Sequence, residues 1–282
     1  MGRLRVAAIN FLNPAPLMWD FEHPPLDAEL AKRYRIDRML PAQCADRLSS
    51  GLADIGLVPI AALAVNPELR ILPGCTIAAK RRVRSLILVH RAGQPIPTLR
   101  SVAADTASRT TVAYARILLH HWGNGTVPFA PAAADLDAML ELADAALLIG
   151  DPALLALEER TNRFERTGEP LVYLDLAEEW IRIHQVPFVS AVWGVSADGA
   201  LDESVEADFN ESRRHGLQNI EGLVAEWSRK LPVPEQTIRT YLTSNIHYAL
   251  DEECVEGMRV FYRIAAKLGV LPQIDERILA NL

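Results

Sequence analysis

Short apolar, β-rich runs that alternate with stretches of helical spacing constrain this chain more than any other feature. The runs lie at Leu4–Ile9, 54–58, 85–90, 101–104, Ala145–Ile149, 171–174 and Phe188–Val195. Between them, 41–52 and 111–122 are helical in pattern, and 152–163 opens on Pro152, which a first helical turn tolerates. Such alternation predicts an α/β chain, doubly wound, with largely parallel sheets. The last third differs. Over 202–231 and 234–268 apolar positions such as Cys254, Met258, Phe261, Ala265 and Leu268 recur every three or four residues, so this tail is expected to pack as helices, not strands.

With 282 residues, 50% of them hydrophobic and 23% charged, the chain has material for one large domain or two smaller ones. The linker-like stretch is 91–98, with Gly93, Pro95 and Pro97, which sets a boundary near residue 90. A return within Phe188–Val195 would make the first lobe discontinuous, 1–89 plus 194–282, and leave 90–193 as the second, with a ligand cleft between them.

A net charge of −7 offers no footprint for nucleic acid or an anionic membrane surface, so an anionic small molecule would need local groups to hold it. Cys44, Cys75 and Cys254 are odd in number and lack zinc or disulfide spacing, which fits a reducing, cytoplasmic setting. The apolar run 6–9 is broken by Asn10 and then Asn13-Pro14, so no signal-peptide core is expected. Nor does any stretch approach the roughly 18–20 apolar residues of a membrane span. Oligomeric state is not legible.

Three hydroxyls cluster in Ser108-Arg109-Thr110-Thr111, just after the run 101–104 and at the expected start of a helix. Free N–H groups and the helix dipole favour an anion there, although Ser108 or Thr110 could equally serve as a helix cap. Gly150-Asp151-Pro152 follows the run Ala145–Ile149; Asp151 is placed to cap the helix, and a ligand role at the same strand-to-helix turn can coexist with capping. Asn13 occupies the turn after the first strand, as a ligand amide or simply a turn residue. Ser85 starts an apolar run near the expected crossing, as a ligand hydroxyl or a solvated strand end. His120-His121 point about 100° apart on a helix, and His184, His215 and His247 have no partner at ligand spacing, so no metal is expected. No phosphate loop or nucleophile elbow is present, and Lys80-Arg81-Arg82-Val83-Arg84 is more simply a solvated face than an anion site.

Taken in order, Asn10-Phe11-Leu12-Asn13 with Pro16-Leu17, the segment Gly51 to Pro59, Ser108 to Val112, Leu147 to Asp151, and Asp175-Leu176 through Trp180 to Pro187-Phe188-Val189 and Trp193 resemble the chorismate dehydratases that open the futalosine route to menaquinone. The resemblance runs nearly end to end. It implies a two-lobed fold like that of the type II periplasmic solute-binding proteins, and loss of water from chorismate to give 3-[(1-carboxyvinyl)oxy]benzoate without a cofactor. It implies Asn13 and Ser85 as the residues that hold the reacting ring. Ser108, Arg109, Thr110, Thr111, Gly150, Asp151 and Phe188 are implied as substrate contacts in the cleft. One departure stands out: His184-Gln185-Val186 replaces the Thr-Gly-Leu type of turn common in that family. The same fold also serves transporter solute-binding proteins and the related 1,4-dihydroxy-6-naphthoate synthases, which set the alternatives.

Overall fold

The computed structural model describes residues 2–107, 109–196, 203–280 and 282. Its strands are β1 (Leu4–Ile9), β2 (Tyr34–Met39), β3 (Ile55–Pro59), β4 (Arg70–Ala79), β5 (Leu86–Arg91), β6 (Val102–Asp105), β7 (Phe129–Ala132), β8 (Ala145–Ile149), β9 (Leu171–Asp175), β10 (Phe188–Val195) and β11 (His247–Leu250). They form a six-stranded sheet in the order β11-β4-β10-β3-β1-β2 and a five-stranded sheet in the order β7-β6-β8-β5-β9. The chain therefore builds two α/β lobes and passes between them twice.

Sheet membership moves both crossings earlier than expected. β5 pairs with β8 and β9 in the second sheet, so the first crossing is 80–85, not residue 90. All of β10 belongs to the first sheet, so the return precedes Phe188. The Gly93-Pro95-Pro97 stretch is an internal loop joining β5 to β6, whereas the true crossing carries neither glycine nor proline to mark it.

The sheets are mixed, not largely parallel. β1 runs parallel to β2 and β3, and β6 to β7 and β8. The strands at the crossings, β5 and β10, enter their sheets from the opposite direction and pair antiparallel on both sides. The tail also corrects an expectation: between the helices Glu235–Thr240 and Glu252–Lys267, β11 adds an antiparallel edge to β4.

Aromatic packing joins the lobes behind the crossings. Tyr114, on the second-lobe helix Arg109–His121, stacks on Phe188 of β10 with ring centroids 3.8 Å apart and on Phe261 of the C-terminal helix at 4.2 Å. Its hydroxyl accepts a hydrogen bond from the Val189 amide at 3.3 Å. Such offset aromatic contacts add to the area they bury. The turn after β1 is held from the C-terminal side. Ser212 donates to the Leu17 carbonyl at 2.9 Å and accepts from the Asp20 amide at 3.0 Å, and Gly216 lets its helix approach so closely that a Cβ would lie 2.1 Å from the Pro16 carbonyl oxygen. No helix among the described residues is long and apolar enough to cross a membrane.

Candidate functional site

Separate segments converge on one cavity between the lobes. Among them are the turn after β1, the first crossing, the start of the helix Arg109–His121, the end of β8 and an irregularity in β10. Its empty space is about 520 Å³, counting solvent at the mouth.

The polar lining is Asn13, Ser85, Arg109, Thr110, Thr111 and Ser190, set among apolar walls that include Ile9, Phe11 and Leu86. Asn13 Oδ1 is buried without a hydrogen-bond partner, a costly state that a ligand donor would relieve. Ser85 is no solvated strand end: it is 1% exposed, and its hydroxyl accepts from the Tyr241 phenol at 2.7 Å. Its carbonyl accepts from the Gly150 amide at 2.8 Å, tying the crossing to the end of β8. The crossing is clamped by Asp175, whose carboxylate accepts from the Val83 and Arg84 amides at 2.9 and 2.6 Å while capping the next helix through the Ala177 and Glu178 amides. That carboxylate's pKa is raised by burial, against the Arg84, Glu178 and Val83 amides.

Hydrogen bonds cross the cleft and hold it shut. The Leu12 amide donates to Asp151 Oδ1 at 2.9 Å, and the Ala61 amide to Thr110 Oγ1 at 3.0 Å. At the mouth, Arg109 pairs with Asp46 at 2.6 Å. Gly150, with φ +63°, lies under the Phe11 ring, where a Cβ would approach its Cδ2 and Cε2 to 2.7 Å. Glycine is required there both for its left-handed backbone and for the close approach.

Several sequence expectations change at this point. Asp151 is not a helix cap: the helix begins at Gly150 with Ile149 at its N-cap, so Asp151 sits inside the first turn and reaches across to Leu12. It is also absent from the cavity lining. Burial lifts its pKa to about 6, with the Leu12 amide pulling the other way. Thr110 likewise spends its acceptor on the opposite lobe. Phe188 does not reach the cavity, because its ring is fully buried against Tyr114. Ser108 lies outside the described residues. Asn13, Ser85, Arg109, Thr110, Thr111 and Gly150 are brought together.

Other residues carried no sequence signal of a site role. Ser190 reaches the cavity at the register shift between Val189 and Ala191, where β10 bulges against β4. Tyr241 stands behind Ser85 and is fully buried. Away from the cavity, ligand-type atoms of His247, Asp251 and Cys254 gather within 4.8 Å, but Lys80 already donates to Asp251 at 2.8 Å and places a positive charge against the group. At the divergent turn, Gln185 adopts φ +58° in the absence of a glycine, and its side-chain amide donates to the Ile181 and Arg182 carbonyls at 3.1 and 2.8 Å.

Chemically, the cavity is built to bind and polarise. Among the described residues lining it there is no carboxylate, imidazole, amine or thiol, and Arg109 is the one charged side chain. An anion is favoured by that guanidinium and by the N-terminal end of the helix Arg109–His121.

A family model described as menaquinone biosynthesis matches residues 4–267. The chorismate dehydratase of Thermus thermophilus is 29% identical over 241 residues, which is 81% of this chain and 85% of that protein. Among solved structures, a protein of Archaeoglobus fulgidus aligns with a TM-score of 0.70 at 14% identity, covering 96% of this chain and 99% of its own. A Candida albicans gene product described as having the generic periplasmic binding protein fold aligns with a TM-score of 0.67 at 14% identity, over 99% of this chain and 94% of its own. The periplasmic aliphatic sulphonate binding protein of Escherichia coli gives 0.64 at 16% identity, over 99% and 91%. These structural likenesses establish the two-lobed periplasmic-binding-protein-like fold.

Proposed function

Because the chain belongs to the menaquinone-biosynthesis family, we propose that it is a hydro-lyase that converts chorismate into 3-[(1-carboxyvinyl)oxy]benzoate and water. The similarity to a chorismate dehydratase supports this substrate. One observation carries the mechanism: a cavity rich in hydrogen-bond donors whose described lining offers no side chain suited to take a proton.

Chorismate brings its own base. The C3 proton passes to the enolpyruvyl carboxylate, the C4–O bond breaks, and the departing hydroxide takes that proton from the carboxylate and leaves as water while the ring turns aromatic. Gain of aromaticity supplies the driving force, so the protein's part is to hold a reactive pose. Arg109 and the helix start hold a carboxylate, Thr111 adds a hydroxyl, and Asn13 and Ser85 orient the ring oxygens. The interlobe bonds from Leu12 to Asp151 and from Ala61 to Thr110 keep the cleft closed over the substrate.

The test is chromatographic identification of the product from chorismate, with Asn13→Ala and Ser85→Ala variants that still bind. A large but measurable fall in turnover in each, with cooperative melting retained, supports the assignment. Turnover unaffected in both would remove these residues from the reaction.

A further inference from the structure

We infer that Tyr241 is a positioning residue for this reaction, holding Ser85 so that the serine's own proton points at the substrate. The inference rests on the proposed dehydration in this cavity. A serine hydroxyl has one proton and two lone pairs. Ser85 Oγ fills one lone pair with the Tyr241 O–H at 2.7 Å, and among the described residues its own O–H meets no acceptor. Since Ser85 lines the cavity, a bound oxygen there is the acceptor that completes the pattern. Without the phenol, the hydroxyl is free to rotate and to offer a lone pair instead of a proton.

The local fold is built around this contact. Tyr241 opens a π-helical turn, Tyr241–Asn245, in which the Ile246 amide donates back to the Tyr241 carbonyl at 3.1 Å. Turns of this type are uncommon and concentrate at functional sites. At its other end, Asn245 donates to the Arg82 carbonyl at 3.3 Å, so one turn grips the crossing segment at two points on either side of Val83 and Arg84. Tyr241 thus stands behind Ser85, fully buried and outside the cavity lining.

The experiment is a double-mutant cycle on Tyr241→Phe and Ser85→Ala, reading kcat and KM with chorismate. Tyr241→Phe keeps the ring and its packing; kcat should fall on the order of 10- to 100-fold, the usual effect of one lost orienting hydrogen bond, with KM changed less than about threefold. In the Ser85→Ala background the same substitution should cost less than about twofold, because the hydroxyl it orients is gone. Incorporation of 3-fluorotyrosine at 241 keeps both ring and hydroxyl and should hold kcat within about threefold of wild type, which keeps the inference testable should Tyr241→Phe fold poorly. An equal loss in both backgrounds, or a Tyr241→Phe enzyme with normal kcat, would overturn the positioning role while leaving the dehydration intact. Wild type that leaves chorismate unchanged overturns the proposed reaction, and this role with it.

Discussion

Asp151→Asn separates the two roles open to a buried carboxylate beside this cavity. Burial raises the Asp151 pKa from an ordinary 3.8 to about 6, against the pull of the Leu12 amide. At 1.36 kcal/mol per pH unit that difference is about 3 kcal/mol. The sign follows from which form the fold prefers. Below about pH 4 the carboxyl is neutral folded or unfolded and costs nothing; as pH rises from about 4 to 6 the unfolded chain ionises first, and above 6 the folded protein carries the full penalty. Asparagine mimics the neutral form and keeps an oxygen for Leu12. The variant should therefore match wild type near pH 4 and exceed it by up to about 3 kcal/mol at pH 8, on the order of 5 °C in Tm for a chain of this size. Thermal melts from pH 4 to 8, with and without the benzoate product, give the readout. A difference that does not grow with pH, or a variant less stable at pH 8, would rule out a burial penalty at this carboxylate. The same protein assays the base: turnover is predicted to survive, and its loss with binding and folding intact would assign proton abstraction to Asp151.

Further outcomes follow from the cleft contacts. Gly150→Ala forces an L-residue into φ +63° and drives a methyl to 2.7 Å from the Phe11 ring; left-handed strain alone costs about 1 kcal/mol, so KM should rise by roughly tenfold or more, and an unchanged KM would mean the lobes do not close as seen. Arg109→Ala removes the one cation in the described cavity lining and should raise KM on the order of 10- to 100-fold. Asp46→Ala breaks only its exposed partner and should change KM less than about threefold. Equal effects from both would assign Arg109 to latching the mouth instead of binding the substrate.

Where a strand is a mainly apolar run, the chain announces it: Leu4–Ile9, Ala145–Ile149 and Phe188–Val195 stand where the sequence places them. Of the strands that escaped, β2, β4 and β11 have other reasons to exist. β2 is a charged edge strand, Tyr34-Arg35-Ile36-Asp37-Arg38-Met39, paired on one side by β1. β4 contains Pro73-Gly74, which reads as a breaker but is absorbed where its register with β10 shifts, Gly74 taking φ +90°. β11 is four residues at the sheet edge inside a helical pattern. The site divides similarly. Asn13 and Ser85 lie next to strand ends, and Thr110 and Gly150 in the first turns of helices that follow strands, places that local pattern and family resemblance both mark. Tyr241 and Ser190 act through contacts more than a hundred residues away in sequence from Ser85 or the first-lobe strands, and no local pattern encodes those. Asp151 was visible as a residue, but its partner Leu12 lies on the other lobe, so its neighbours in sequence pointed to a cap.

The decisive experiment is to incubate the purified protein with chorismate, separate the products, and compare it with the Asn13→Ala/Ser85→Ala double variant. Catalytic conversion to 3-[(1-carboxyvinyl)oxy]benzoate is expected from wild type alone, with both proteins folded. Chorismate left unchanged by wild type, even where it raises Tm by binding, would contradict the dehydratase assignment and leave a two-lobed binding protein.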